Sequence, residues 1–325
     1  MALLSKKVCV TGGNGYLGSW LVMKLLNHGY SVNTTIRSDK DMSFLKNIPG
    51  ASERLNIFKA DLNQPDSFQP AIQGCNGVFL VAHPMEPDAS QSQETITENS
   101  INSTLAILQA CIDSKMVKRV VYTSSVASVM FGNKNSSSNV VDESSWSDID
   151  LICASMPSMA TYMITKTLTE KAALEFAGKH GLELVTVLPS SIHGSFIGPE
   201  GPKFVYFLMT MFFGKADAYN YMSFTELVHV DDVASAHIFL LEHPEAEGRY
   251  ICSAVETTPE KLSEFLSSRY PEYQISTLDS SGESGRAKSY KLSSKKLLDL
   301  GFSYKHGLEE IYDGALESFK RVGVL

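Results

Sequence analysis

Three glycines spaced three residues apart, Gly12, Gly15 and Gly18, follow the apolar run Lys7-Val8-Cys9-Val10-Thr11 and open an amphipathic pattern from Tyr16 to His28. A strand–turn–helix unit of this kind leaves few options for the rest of the chain. Glycines allow the tight turn, admit a pyrophosphate against the backbone, and let the free N–H groups of the helix N-terminus point at the anion. A glycine triplet alone is a weak signal; between a strand and a helix it predicts a dinucleotide site. Gly29 ends the helical pattern, and Tyr30 to Ile36, rich in β-branched residues, reads as the next strand.

The alternation continues through Leu55–Lys59, Gly77–Val81, Arg119–Tyr122 and Leu184–Leu188, short apolar runs bounded by helical or turn-like segments. Parallel strands covered on both faces read this way. The expected fold class is α/β, a Rossmann-type doubly wound parallel sheet with a smaller mixed α/β substrate-binding lobe. Residues 1–190 are expected to form the dinucleotide domain. Residues 225–250 return to it, since Leu227–His237 resumes a strand-then-helix pattern. The substrate lobe is expected from 191–224, with its Phe/Met-rich patch over Phe204–Phe213, and from 251–325, with helical patterns near Pro259–Tyr270 and Leu308–Val322. Lys134–Asn139 reads as a polar surface loop.

Composition narrows the function classes. With 43% hydrophobic and 20% charged residues the chain has the apolar material for a large core. A net charge of −8 without basic runs argues against a nucleic-acid partner, which needs a positive footprint. The patch Phe204–Phe213 is too short to cross ~30 Å of hydrocarbon. The glycine turn comes so early that no signal peptide is expected, and a cytoplasmic protein without membrane association follows. Asn33, Asn102 and Asn135 lie in glycosylation sequons and are read as unmodified. The five cysteines are scattered, which predicts reduced, mostly buried thiols. Among the eight histidines, His83 and His193 follow strand ends near the expected site, whereas His229 and His237 read as structural; no metal is expected.

An NAD site usually carries an Asp or Glu beyond its second strand to bind the ribose hydroxyls. Arg37 stands there instead. A guanidinium can clamp a 2′-phosphate bidentately, and Lys40 is close enough in sequence to help, so NADPH/NADP+ is expected over NADH. The competing reading keeps Arg37 as a solvated charge and gives the ribose to Asp39 or Asp41. Asp61-Leu62, past the third strand, suits the adenine pocket; Asp61 also suits a helix N-cap.

Tyr162-Met163-Ile164-Thr165-Lys166 is a YxxxK pattern within a helical stretch, so the phenol and the ammonium share one face. A neighbouring Lys⁺ is expected to pull the phenol down from about 10, allowing it to give a proton to a carbonyl oxygen or take it back. Val120-Val121-Tyr122-Thr123-Ser124-Ser125 places hydroxyls at a strand's C-terminal end, the edge where ligands collect. Ser125 is the candidate for holding the substrate oxygen, its competing role being a cap. Pro189-Ser190-Ser191-Ile192, at another strand end, suits the nicotinamide carboxamide.

TGGNGYLGSWL (11–21), YTSS (122–125), YMITK (162–166) and LVHVDDVASAHIFLLE (227–242) resemble the extended short-chain dehydrogenase/reductase superfamily, and more narrowly its plant dihydroflavonol 4-reductase-like branch. GYSVNTTIRSD (29–39), SFLKNIPGASERL (43–55), DESSWSDIDL (142–151) and RYPEYQI (269–275) are especially similar to the branch's isoflavonoid reductases. The resemblance runs from Val8 to Leu325. It implies Ser125, Tyr162 and Lys166 as the catalytic triad. Around NADPH it implies Gly12, Gly15, Tyr16, Leu17, Gly18, Arg37, Asp61, Leu62, Val81, Ala82, Lys166, Pro189 and Ile192. It also implies a monomer with its substrate cleft between two lobes.

Departures from the branch bear on the substrate. Met130 stands where dihydroflavonol reductases carry a polar Asn or Asp, and Glu226 replaces their Gln. His83, Met85, Met130, Phe204, Phe207 and Glu226 are the candidate substrate contacts, with core packing an equal reading of Met130 and the patch. The function read here is an NADPH-dependent carbonyl reductase acting on a ketone of an (iso)flavonoid-like polycyclic phenolic, a small aromatic molecule. Two alternatives stand beside it: the same machinery run backwards on an alkaloid alcohol or hemiacetal, and a non-catalytic NADP(H)-sensing scaffold.

Overall fold

A computed structural model describes residues 6–37, 42–83, 91–132, 140–209, 212, 226–273, 275 and 291–325, without the side chains of Phe204, Phe207 and Leu208. The strands in chain order are β1 Lys7–Val10, β2 Ser31–Ile36, β3 Leu55–Lys59, β4 Gly77–Leu80, β5 Arg119–Thr123, β6 Val140–Val141, β7 Glu183–Pro189, β8 Ser191–His193, β9 Glu226–His229, β10 Gly248–Cys252, β11 Val255–Glu256 and β12 Lys291–Leu292. Seven of them form one sheet in the order β10-β7-β5-β4-β1-β2-β3, and every pair in it is parallel. This is a Rossmann-type α/β fold. From β1 the chain winds outward through β2 to β3, then crosses back to β4 and winds the other way. The boundary between β1 and β4 is therefore the switch point, and a crevice opens beyond their C-terminal ends.

Alternate strand residues feed opposite faces, as a pleated strand covered on both sides requires. Val8, Val10, Phe79, Val121, Val185 and Val187 enter a core with Leu21 and Leu25 of the helix Tyr16–Asn27 and Val233 and Ile238 of the helix Val230–Glu242. Cys9, Val78, Leu80, Val120, Tyr122 and Leu184 face the other way, against Ile107, Leu108, Ala173 and Ala177. The last four belong to the long helices Gln93–Asp113 and Ala160–His180, which pack on each other with little amphipathic contrast. Small hydroxyl residues explain how. Thr97 meets Thr165 (2.9 Å), Thr169 donates to Ser100 (3.2 Å), and Thr97 also donates to the Gln93 carbonyl (2.9 Å). Buried hydroxyls so paired let two helices approach without an apolar stripe.

A second core gathers Phe196, Val205, Met209 and Phe212 with Leu262 and Leu266 of the helix Pro259–Arg269 and Ile311, Leu316 and Phe319 of the helix Leu308–Arg321. For Val205, Met209 and Phe212 the packing reading of the Phe/Met patch is therefore the observed one, while Tyr206 is 46% exposed. The loop expected at Lys134–Asn139 lies outside the described residues. Cys9, Cys75, Cys111 and Cys252 are buried thiols and Cys153 is exposed. Among the described residues no helix is long and apolar enough to cross a membrane.

Candidate functional site

The glycine turn is built from backbone. Val81 and Ala82, just past β4, donate their N–H groups to Thr11 Oγ1 (2.9 Å each), which fastens the two strand ends at the switch point. Gly15 N–H closes the turn on the Gly12 carbonyl at 3.0 Å. A methyl group on Gly18 would lie 2.1 Å from that same carbonyl oxygen, so helix and turn touch through the missing side chain. Gly13, outside the GxxGxxG spacing, is equally constrained: its Cβ would fall 1.9 Å from Thr34 Oγ1. Only the neighbouring strand explains that glycine, which pattern reading passed over.

The helix that follows starts at Gly15 with no side-chain cap and no acidic residue in its first turn. An N-terminus left in that state favours an anion. Leu17 and Gly18 are buried beneath it, while Tyr16 packs against both cores with its hydroxyl buried and without a hydrogen-bond partner among the described residues. Ser190, beside the buried Pro189 at the end of β7, holds a second such hydroxyl. Ile192 is half-buried in β8. Arg37 stands exposed at the end of β2, with no partner among the described residues. Backbone cradle, uncapped helix, orphaned hydroxyls and unpaired guanidinium together fit a phosphorylated dinucleotide. Lys40, Asp39 and Asp41 lie outside the described residues.

Asp61 is not a helix cap. Its Oδ1 accepts the Asn63 N–H (2.9 Å) in a local turn, and Gln64 occupies the cap position of the short helix Pro65–Phe68. Leu62 packs, half-buried, on the core that holds Phe68 and Ile72.

On the other side of the crevice the structure brings Ser125, Tyr162 and Lys166 together. Ser125 follows β5 and caps the short turn Val126–Ser128, its Oγ accepting the Ala127 N–H at 3.2 Å. Tyr162 and Lys166 lie one turn apart on the helix Ala160–His180. Lys166 is buried and donates from Nζ to the Thr123 carbonyl at 3.0 Å, two residues before Ser125. Its ammonium also sits 5.7 Å from the centre of the Tyr122 ring. Burial pushes Lys166 down to about 7, against the opposing charge of Glu170. The Tyr162 phenol is raised rather than lowered, because burial outweighs the hydrogen bond from Ser125 that favours the phenolate. The expected depression by Lys166 is absent here: that ammonium is turned to the Thr123 carbonyl.

His83 reaches this group from the end of β4, its ring edge-on to Tyr162 with centroids 5.8 Å apart. Burial and the Lys166 charge hold its imidazole well below its ordinary pKa, so the ring is neutral. Met130 packs, half-buried, against Val126, Val129, Leu188 and Ile251. Glu226 does not offer a free carboxylate to a ligand. Its oxygens accept from the Ser253 hydroxyl and the Leu292 N–H (3.2 Å each), a joint between β9 and the chain's later segments. Met85 and the side chains of Phe204 and Phe207 lie outside the described residues.

A buried ion pair lies beneath these residues, and no local pattern announced it. Glu170, with 0% exposure, accepts from Ser124 Oγ (2.7 Å), Thr186 Oγ1 (2.7 Å) and Arg249 Nε (3.0 Å). Arg249, from β10, also donates to the carbonyls of Glu143 (2.9 Å) and Ser145 (2.6 Å) and to Ser128 Oγ (2.9 Å). Its guanidinium lies 3.5 Å over the Trp146 ring. His237 completes the layer, bridging Thr123 Oγ1 and the Val233 carbonyl at 2.8 Å each.

Asp231, Asp232 and His306 bring possible metal ligands within 4.8 Å of one another. Their carboxylates already serve N–H donors: Asp231 takes Lys24 Nζ (2.7 and 2.8 Å) and Trp20 Nε1 (2.9 Å), and Asp232 takes the N–H groups of Lys305 (3.0 Å) and His306 (3.1 Å).

Comparison with known proteins agrees with this geometry. Residues 8–252 match the NAD dependent epimerase/dehydratase family. Vestitone reductase of Medicago sativa is 46% identical over 323 residues, covering 98% of each chain. Noscapine synthase SDR1 of Papaver somniferum is 43% identical over 98% of this chain and 95% of its own. A dihydroflavonol 4-reductase of Callistephus chinensis is 40% identical over 98% and 87%. The crystal structure of the alfalfa vestitone reductase superposes with a TM-score of 0.86, covering 98% of this chain and 99% of the other.

Proposed function

Because the chain belongs to the NAD dependent epimerase/dehydratase family, we propose that it is an NADP-dependent oxidoreductase, a carbonyl reductase of flavonoid-type ketones. The observation that carries the reading is the meeting of Ser125, Tyr162 and Lys166 at the sheet edge beside the switch point. NADPH, when bound, supplies the hydride. Gly12, Gly15, Tyr16, Leu17 and Gly18 would hold its pyrophosphate, Arg37 its 2′-phosphate, Asp61 and Leu62 its adenine end. Val81, Ala82, Lys166, Pro189 and Ile192 would flank its nicotinamide end. Within the protein, Ser125 orients the carbonyl oxygen and Tyr162 donates the proton to it. The ammonium of Lys166 carries the positive charge that favours the phenolate left behind. Residues 191–224 and 251–325 supply the substrate lobe.

The similarity to vestitone reductase supports an isoflavonoid-like ketone as the substrate. With Met130 packed into an apolar cluster, the neutral His83 ring beside Tyr162 is, among the described residues, a polar group placed to read a substrate hydroxyl. The test is a screen of flavanones, isoflavanones, hydroxycinnamaldehydes and alkaloid hemiacetals with NADPH and NADH, followed at the absorbance of the reduced nicotinamide. Tyr162→Phe should lower kcat by roughly 10²–10⁴-fold, the usual worth of a positioned proton donor, while NADPH binding persists. Undiminished turnover in that variant would dispose of the mechanism.

A further inference from the structure

We propose that Glu170 is a positioning residue for Lys166: a fully buried carboxylate one helical turn away that locks the Ser124–Ser125 segment to the helix and keeps the ammonium protonated. The inference rests on the reading of Lys166 above and concerns a residue that the glycine turn and YxxxK pattern do not include.

The geometry is specific. Lys166 and Glu170 are four residues apart on one helix, so they share a face. Glu170 has no solvent to stabilise its charge, and its donors come from three separate elements: Ser124 beyond β5, Thr186 in β7 and Arg249 in β10. A second bond from Arg249, Nη2 to Oε2 at 3.3 Å, makes that contact bidentate. Arg249 is in turn held by the Glu143 and Ser145 carbonyls, Ser128 Oγ and the face of Trp146, so it cannot leave the carboxylate. The Ser124 bond fixes the residue between Thr123, whose carbonyl accepts from Lys166, and Ser125.

Among the described residues, the titratable groups facing Lys166 come from three elements. Tyr162 and Glu170 come from its own helix, Tyr122 from β5 and His83 from the end of β4. Tyr122, Tyr162 and His83 are neutral where Lys166 titrates, since burial raises the two phenols and lowers the imidazole. Glu170 is thus the anion that opposes the desolvation of the ammonium.

The experiment is a pH titration of the lysine Nζ resonances by NMR in the full chain, with Lys166 assigned through Lys166→Met. Glu170→Gln keeps the shape and removes the charge, and should move the Lys166 midpoint down by at least tenfold in proton affinity. Glu170→Gln combined with Arg249→Gln replaces the ion pair by a neutral one; it should shift the midpoint the same way, and it decides the matter if the single variant does not fold. Ser124→Ala keeps the charge and should leave the midpoint in place. A Lys166 midpoint equal to wild type in either Glu170 variant would overturn the proposal. The alkaline limb of the pH–rate profile should move with the midpoint. If the wild-type chain reduces no carbonyl, the functional reading fails while the titration still judges Glu170.

Discussion

The two sides of the crevice are made differently. On the β1 side, the turn from Thr11 to Gly18 works by omission: side chains are missing where backbone meets backbone, and the helix start has no cap. On the β5 side, the site stands on side chains drawn from four distant stretches, Ser124, Glu170, Thr186 and Arg249, joined in one buried network. The first arrangement is local and tolerates little added volume. The second is long-range and tolerates no unpaired charge. One side is thus sensitive to sterics and the other to electrostatics.

That contrast can be broken by mutation. Arg249→Met leaves Glu170 buried without its cation and should cost about 3–5 kcal/mol of stability in urea unfolding, with dinucleotide affinity in the surviving folded fraction little changed. A loss within experimental error of wild type would mean that the network is not a unit. Arg37→Ser should do the reverse. Stability should stay put, while the preference for NADPH over NADH falls by about 1.5–3 kcal/mol, the usual worth of hydrogen bonds to a charged group; an intact preference would return the ribose to Asp39 or Asp41.

Acid should weaken the fold through its buried histidines, on the network side through His237. Burial pushes His237 and His229 down to about 4 and His193 down to about 3, from an ordinary 6.5. A histidine kept neutral in the fold binds a proton more readily once unfolded, so its contribution is whole above about 6.5 and drains away as pH falls toward 4. At ~1.4 kcal/mol per unit, His237 alone should remove about 2 kcal/mol of stability between pH 7 and pH 5. Replacing it by Gln should flatten that part of the curve, and an unchanged slope in chemical denaturation across those pH values would refute the assignment. Gly18→Ala is expected to cost about 1–3 kcal/mol of overpacking, read more sharply as weakened NADPH binding in titration calorimetry. Should NADPH bind the variant as tightly as wild type, the turn has room that a 2.1 Å approach to the Gly12 carbonyl does not suggest.

Much of the fold was legible along the chain. Each expected strand of the central sheet lies within two residues of its observed limits, and the helix expected over Tyr16–His28 spans Tyr16–Asn27. These elements announce themselves because burial on both faces demands continuous apolar runs, and because glycine is needed wherever the turn is tight. Less could be read where hydroxyls replace apolar residues. The helices Gln93–Asp113 and Ala160–His180 meet through Thr97, Thr165, Ser100 and Thr169, residues that give no periodic signal. The candidate site divided along the same line. YxxxK and YTSS mark Tyr162, Lys166 and Ser125 at short range, whereas no local pattern marks Arg249 or Glu170, and Glu226, read as a substrate contact, is taken up by Ser253 and Leu292.

What the amino-acid order determined by itself was everything governed by neighbours within a few residues: the alternation that makes a parallel sheet, the glycine turn, and the helical spacing that sets Tyr162 and Lys166 on one face. Tertiary structure alone decided which polar and charged groups are buried and which partner each one meets. Glu170 finds Arg249 79 residues away, and Thr123 finds His237 114 residues away. A buried charge is tolerated only with a partner at hydrogen-bond distance. Which residue supplies that partner depends on how the strands are ordered in the sheet, a property of the whole fold rather than of any segment in it.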